Sequence, residues 1–230
     1  MSGPILFVAA DPRELTAWVS RWENVKPVSL AVNWARTGTW KHRPVAAIAN
    51  GAGAERALTA VIMAGEIEAV CNTGFCGALD PALKIGDIVV ATEVRNQTRT
   101  WPATLPDSPH TPTGPVVTVD HIAQTADEKR SLRSTGASIV EMEAAGAAQA
   151  AEDIGVPFYC IRAVSDLAEE TFANDFNAAL TADGNFSVAR LVAGAFASPQ
   201  KRFAELLRLQ RRTAIASKKL GEFLANCTFN

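Results

Sequence analysis

Residues 138–166 read Ser-Ile-Val-Glu-Met-Glu-Ala-Ala-Gly-Ala-Ala-Gln-Ala-Ala-Glu-Asp-Ile-Gly-Val-Pro-Phe-Tyr-Cys-Ile-Arg-Ala-Val-Ser-Asp. A short apolar run, Ile139 and Val140, meets two acids, Glu141 and Glu143. The alanine-rich segment from Ala144 to Ile154 has high helix propensity, with Gly146 its one weak point. Gly155 ends that helix in the manner of a C′ glycine. Pro157 to Val164 then reads as a buried strand that closes on Ser165 and Asp166. The pattern is strand, helix, strand, with polar groups gathered at strand ends. Ligands of open α/β sheets sit at the carboxyl ends of strands. Glu141, Glu143, Arg162, Ser165 and Asp166 are therefore expected to share one pocket.

Working outward, Ile5 to Ala10 has the unbroken apolar character of a central parallel strand. Asp11 fits a helix N-cap and Pro12 the first helical position, which puts Arg13 and Glu14 in the first turn. Residues 28–34 and 44–49 read as strands joined by a turn near Gly38. Gly51-Ala52-Gly53-Ala54 opens a helix to about Gly65; it lacks the third glycine of a dinucleotide loop. Residues 67–73 and 88–94 read as further strands, and Gly74 and Gly77 allow close approach of a ligand. Residues 96–115, with five prolines, Trp101 and His110, read as a loop long enough to serve as a lid. A short strand (116–119) and a charged helix (126–134) follow, with Glu128, Lys129 and Arg130 placed on a solvated face. Helices are expected over 172–180 and 187–197, with a break at 181–185. The last helix, 199–226, carries an apolar stripe (Phe203, Leu206, Leu209, Ala216, Leu220, Phe223) and a basic face (Lys201, Arg202, Arg208, Arg211, Arg212, Lys218, Lys219). Packing on its own domain or on a partner subunit is the simpler use; attraction to anionic lipid is the sharper one.

The bulk properties set bounds. At 230 residues and 48% hydrophobic content, one α/β domain spanning 1–230 is expected. A net charge of −2 gives no general attraction to nucleic acid. Cys71, Cys76, Cys160 and Cys227 lack metal-ligand spacing and mostly sit in apolar runs, where cysteine behaves as a small hydrophobe. Nothing resembles a signal peptide or a membrane span, so a cytoplasmic protein with reduced thiols is expected.

Val140-Glu141-Met142-Glu143-Ala144-Ala145, followed by Ile161-Arg162-Ala163-Val164-Ser165-Asp166, resembles the double signature of the purine nucleoside phosphorylase and methylthioadenosine/adenosylhomocysteine nucleosidase superfamily. Upstream, Asn72-Thr73-Gly74-Phe75-Cys76-Gly77-Ala78-Leu79 and Lys84-Ile85-Gly86-Asp87 resemble a second family segment. The resemblance spans roughly residues 4 to 166. It implies a three-layer α/β/α sandwich around a twisted mixed sheet, and cleavage of the N-glycosidic bond of an adenine nucleoside. It implies Asp166 as the acid for the leaving base, oriented by Ser165; Glu143 as the ligand of the ribose hydroxyls; and Glu14, held by Arg162, as the base that activates water. Glu141, Met142, Val140, Phe75, Gly77 and Asn72 complete the implied substrate-binding set.

Without the resemblance, Glu14 and Glu143 read as helix first-turn acids and Asp166 as an N-cap. Phosphorylases of the family keep an arginine where Asn72 stands and a hydroxyl residue where Phe75 stands. A phenyl ring cannot bind phosphate, so hydrolysis is favoured over phosphorolysis. No metal or organic cofactor is implied; inorganic phosphate would be the co-substrate of a phosphorylase. A hopanoid-associated phosphorylase acting on lipid-linked adenosine is the alternative within the family, suited by Leu79-Asp80-Pro81-Ala82-Leu83 and the basic last helix. A non-catalytic nucleoside binder is the alternative of another class. Family members usually assemble as dimers or larger homo-oligomers.

Overall fold

The computed structural model describes residues 3–196 and 199–229. Met1, Ser2 and residue 197 of the expected sixth helix lie outside them. Strand β1 (Ile5–Ala9) is buried at every position. Asp11 caps α1 (Pro12–Val19) by accepting the Arg13 N–H at 2.8 Å, and Glu14 closes the capping box. β2 (Glu23–Pro27), β3 (Trp34–Trp40) and β4 (Arg43–Ala49) precede α2 (Ala54–Met63) and β5 (Ala69–Ala78). β6 (Ile88–Arg95), β7 (Thr100–Pro102) and β8 (Thr113–Thr118) lead to α3 (Ala126–Arg133) and β9 (Ile139–Glu141). The order closes with α4 (Ala144–Ile154), β10 (Phe158–Asp166), α5 (Phe176–Ala179), α6 (Val188–Ala195) and α7 (Pro199–Leu224).

Among the described residues there is one ten-stranded mixed sheet, ordered β10-β6-β8-β9-β5-β1-β4-β3-β2, with β7 on β6. β10 also pairs with β5, so β5, β10, β6, β8 and β9 close into a ring. β1, β5 and β10 run parallel, which brings Ala9, Ala78 and Asp166 to the same edge. Helices α2 and α4 pack against each other over one face, around Val8, Ile48, Val70 and Cys160. Helices α1 and α7 cover the other, around Phe7, Trp18, Cys71, Ile161 and Leu220. The sheet is therefore sandwiched as expected, and the central strands β1, β4 and β5 contribute alternate residues to the two cores.

Several expected boundaries moved. The hairpin turn is at Lys41 and His42, both with positive φ (48° and 65°), and Gly38 lies inside β3. Two positive-φ residues suit a tight hairpin, but Lys-His carries none of the usual Asn-Gly signal. Gly38 is small because a Cβ there would sit 3.0 Å from Glu23 O and 3.2 Å from the Trp22 ring. Residues 28–33 are not strand. β5 runs past Thr73 to Ala78, because Gly74 bends the chain (φ 145°) without ending its pairing to β10. Residues 172–175 are not helical: the buried Glu205 of α7 accepts the N–H groups of Ala173 and Asn174 at 2.8 Å each, and only Phe176–Ala179 forms a turn of helix.

The segment expected to be a lid, 96–115, is tied elsewhere. Trp101 is buried and donates to Glu152 at 3.1 Å, and Thr104 N–H donates to Phe158 O at 2.7 Å. Phe158 begins β10 while the polar cluster ends it, roughly 26 Å away along the strand. Pro109, Thr111 and Pro112 instead face Lys219 and Phe223 of α7 across a cavity of about 470 Å³.

Gly146 shows packing overriding propensity. Alanine is the better helix former by about 1 kcal/mol, yet a Cβ at Gly146 would lie 1.8 Å from Ala54 O of α2. Gly146→Ala is expected to lower stability by about 1–3 kcal/mol, as overpacking does, measured by urea denaturation; a gain in stability would show that α2 and α4 separate freely.

Candidate active site

The polar groups of the cluster arrive on five elements. β1 ends beside α1, whose first turn carries Glu14. Glu14 is buried; its Oε2 accepts the N–H groups of Ala10 and Asp11 (2.9 Å each), and its Oε1 accepts the N–H of Phe75 at 2.7 Å. A carboxylate offers about four lone-pair directions, so about one remains for another donor. Gly74 permits the approach. A Cβ there would meet Glu14 Oε1 at 2.6 Å and Arg162 Nη1 at 2.9 Å.

Arg162 is fully buried in the middle of β10, paired in register with Gly74. Its Nη2 donates to Glu141 Oε2 and to Asn72 Oδ1. Its Nη1 reaches Glu143 Oε2 at 3.3 Å and Phe75 O at 3.4 Å. The surrounding carboxylates raise its pKa above the ordinary arginine value, against the effect of burial.

Glu141 caps α4. Its Oε2 accepts the N–H groups of Glu143 and Ala144 at 2.8 Å each, where the helix leaves donors unsatisfied. Thr118 bridges it: the Thr118 hydroxyl donates to Glu141 Oε1 and accepts the Ala145 N–H at 3.0 Å. With the helix end satisfied this way, Glu143 makes no side-chain cap and is released toward Arg162 and the Gly53 N–H (3.2 Å). Burial, opposed by Arg162 and reinforced by Glu141 and Glu14, raises the Glu143 carboxyl to about 8. Burial also raises Glu14, with Arg162 pulling the other way.

Asp166 ends β10 after a register shift between Val164 and Asp166, a bulge that re-aims the terminal side chains. Ser165 Oγ lies 2.8 Å from Asp166 Oδ1 and 3.1 Å from Cys76 O. Gly77 is opposite; a Cβ there would meet Asp166 Oδ2 at 2.8 Å. Burial raises the Asp166 pKa, and Lys129 works against that rise.

The structure thus brings Glu14, Arg162, Glu141 and Glu143 into one connected network, with Asp166, Ser165 and Gly77 on the same strand ends. Two sequence expectations change. Asn72 is fully buried and both ends of its amide are occupied, by Arg162 and by Val8 O (3.3 Å), so it positions Arg162 instead of facing a ligand. Phe75 packs its partly buried ring against the α7-side core, and its backbone N–H and C=O meet the cluster. Val140 joins a small core with Leu79 and Val117, and Met142 is buried. Lys129 is not on a solvated face: it is 1% exposed and its Nζ lies 2.5 Å from Asp166 Oδ2. Sequence reading missed it and Thr118. The available signal for Lys129 was Leu132, the one large apolar residue of α3, which shares a helix face with the residue three before it.

Residues 182–184 pack against residues 51–56, beside the Gly53 N–H that Glu143 accepts. Ala52 N–H donates to Gly184 O (2.8 Å), and Arg56 donates to Ala182 O (2.7 Å). A Cβ at Gly51 (φ 88°) would collide with Asp183 O at 2.4 Å. Among the described residues, no group of three or more His, Cys, Asp or Glu side chains is placed to hold a metal ion.

The sequence matches the model of the Phosphorylase superfamily over residues 4–115 and 104–194, and the chain belongs to that family. Among curated relatives, the 5′-methylthioadenosine/S-adenosylhomocysteine nucleosidase of Staphylococcus aureus is 26% identical over 206 residues, covering 75% of this chain and 90% of the relative. Among solved structures, the nucleosidase of that name from S. pneumoniae, held with a transition-state inhibitor, superposes with a TM-score of 0.74 at 20% identity, covering 97% of each chain. Futalosine hydrolase of Helicobacter pylori gives 0.70 at 18% identity over 96% of each chain. The latter two likenesses concern the fold.

Because Glu143 is raised from its ordinary 4.5 to about 8, the folded protein holds a proton there that the unfolded chain has released. Stability from this group is full below about pH 4.5 and falls as pH rises to about 8. Glu143→Gln is therefore expected to raise Tm relative to wild type at about pH 9 and to match it near pH 4.5. Equal Tm differences at both pH values would refute the buried-proton assignment.

Proposed function

We propose that the protein hydrolyses the N-glycosidic bond of a purine nucleoside, with adenine as the leaving base. One observation carries the choice of water over phosphate. The cation at the centre of the site, Arg162, is already enclosed by Glu141, Glu143 and Asn72, with Glu14 beside it. Arg13, in the first turn of α1, is 77% exposed and paired with its neighbour Asp11 at 2.7 Å. A phosphate dianion entering here would meet carboxylates without a free cation, whereas a carboxylate is the group that water activation needs. The nucleosidase and hydrolase names of the relatives support the same reading.

The proposed chemistry is as follows. Glu143 holds the ribose hydroxyls. Asp166, protonated, donates to a ring nitrogen of the base as the glycosidic C–N bond breaks and its electron pair leaves with the base. Glu14 takes a proton from water as the water oxygen bonds to the ribosyl carbon. The products are free base and free sugar. Asp166 then regains a proton from solvent and Glu14 loses one, which restores the site. Water is the only co-substrate.

The exposed row Val188, Val192 and Phe196 on α6, with Phe203 and Leu207 on α7, supports self-association through this surface. The second half of α7 is committed to its own chain, with Ala216, Leu220 and Leu224 buried and Gly221 seated on Ala17. Four unpaired, buried cysteines suit a reducing compartment, and we place the protein in the cytoplasm.

Adenine release from methylthioadenosine, adenosylhomocysteine and adenosine, followed by chromatography with and without phosphate, tests the reaction. Release independent of phosphate is expected. Glu14→Gln and Asp166→Asn should each lower kcat by about 10²–10⁴-fold with the protein still folded. Activity only with phosphate, yielding a ribose 1-phosphate, would overturn the hydrolytic reading. Activity confined to a lipid-linked adenosine would move the substrate class.

A further inference from the structure

Lys129 projects from α3 into a closed site. Its Nζ donates to Asp166 Oδ2 at 2.5 Å and to Leu167 O at 2.8 Å, and lies 5.2 Å from the centroid of the Phe172 ring. Those three partners account for the three N–H donors of an ammonium. Burying an ammonium beside a carboxylate carries a desolvation cost that the pair itself often fails to recover. A pair held here, on the acid that would protonate the leaving base, has a use that a stray structural ion pair would lack.

The two oxygens of Asp166 are treated differently. Oδ2 receives the lysine and lies against Gly77; Oδ1 faces Ser165 Oγ, which also reaches Cys76 O. An oxygen already taking an ammonium N–H is the poorer home for a further proton, so the acidic proton belongs on Oδ1. When Ser165 donates to Cys76 O, its lone pairs are left to accept from a protonated Oδ1.

We propose that Lys129 is a positioning residue for the Asp166 acid: it directs the transferable proton to Oδ1 and stabilises the carboxylate that forms as that proton passes to the leaving base. This role presupposes the nucleosidase chemistry proposed above. The lysine never touches the base, being closed off at 1% exposure. The Oδ1–H bond breaks, the new N–H bond forms on the base, and the negative charge appears between Ser165 and Lys129. A cation so placed stabilises a charge that develops during reaction, without reorganisation.

The charged and titratable groups around Asp166 are few. Lys129 faces it from α3, and Ser165 and the Cys76 thiol lie nearby on β10 and β5. Glu170 faces it from the following segment, itself bound by Arg208 (2.8 Å) and Arg212 (2.6 Å) of α7. Lys129 is thus the cation in direct contact. An opposite charge at this distance lowers a carboxyl pKa by about one to three units, so its removal should raise that of Asp166.

The test compares Lys129→Met, Lys129→Gln and Lys129→Arg with wild type. Gln keeps a donor and drops the charge, which covers the case in which Met fails to fold. In both uncharged variants the alkaline limb of the kcat/KM profile should move up by about one to three pH units. Their plateau kcat should fall about tenfold or more, with KM changed little; Arg should restore the wild-type limb. A ¹³C-carboxyl NMR titration, with Asp166→Asn to assign the resonance, reads the same shift without turnover. Folded variants whose limb and titration both match wild type would overturn the proposal. If the resonance shifts but wild type cleaves no nucleoside, the pairing holds and the nucleosidase reading fails, taking the catalytic role with it.

Discussion

The fully buried guanidinium of Arg162 is the constraint on which the site depends. One cation stands among Glu141, Glu143 and Glu14, with Asn72 fixing its other side. Taking a charged group out of water is costly, and only close pairing and complete hydrogen bonding recover that cost. The fold supplies both. β10 pairs with β5 so that Arg162 faces Gly74, and the absent side chain leaves room for Glu14 on the other side. More carboxyls than cations leave the group short of positive charge. Burial first, and the neighbouring carboxylates after it, raise the Glu143 carboxyl to about 8 against the pull of Arg162.

Each carboxyl draws a different role from its surroundings. Glu141 is consumed by structure, accepting two helix N–H groups, Thr118 and Arg162. Glu14 shares three backbone N–H groups, which favour its charged form, while burial favours the neutral one. Glu143 accepts one backbone N–H and a long contact to Arg162, so burial prevails. Asp166 stands apart from Arg162 with a cation of its own. Acids that are alike in sequence are thereby given different partners by the fold.

Helix α7 contributes at a distance. Glu205 holds Ala173 and Asn174, and Arg208 and Arg212 hold Glu170. These contacts shape the segment that carries Phe172 over Lys129. Much of the basic face that reads as a surface patch is therefore engaged within the chain, and the exposed apolar row lies on α6 and the first half of α7.

The sequence alone determined the parts that rest on local chemistry. Apolar runs specified the buried strands, Asp11-Pro12 and Gly155 specified helix ends, and Glu141 and Asp166 fell at strand ends as expected, whereas Arg162 sits in the middle of β10. Those signals are legible because they depend on neighbours a few residues apart. Tertiary structure alone decided what depends on contacts across tens of residues. Asn72 turned inward to Arg162, the ring of Phe75 went to the core, and the loop expected to form a lid was pinned at the far end of β10. Lys129 shows the difference most plainly. In a run of charges it reads as solvated, because a lysine without a partner belongs in water. Only the fold, by setting Asp166, Leu167 and Phe172 around one end of α3, made burial the lower-energy place for it.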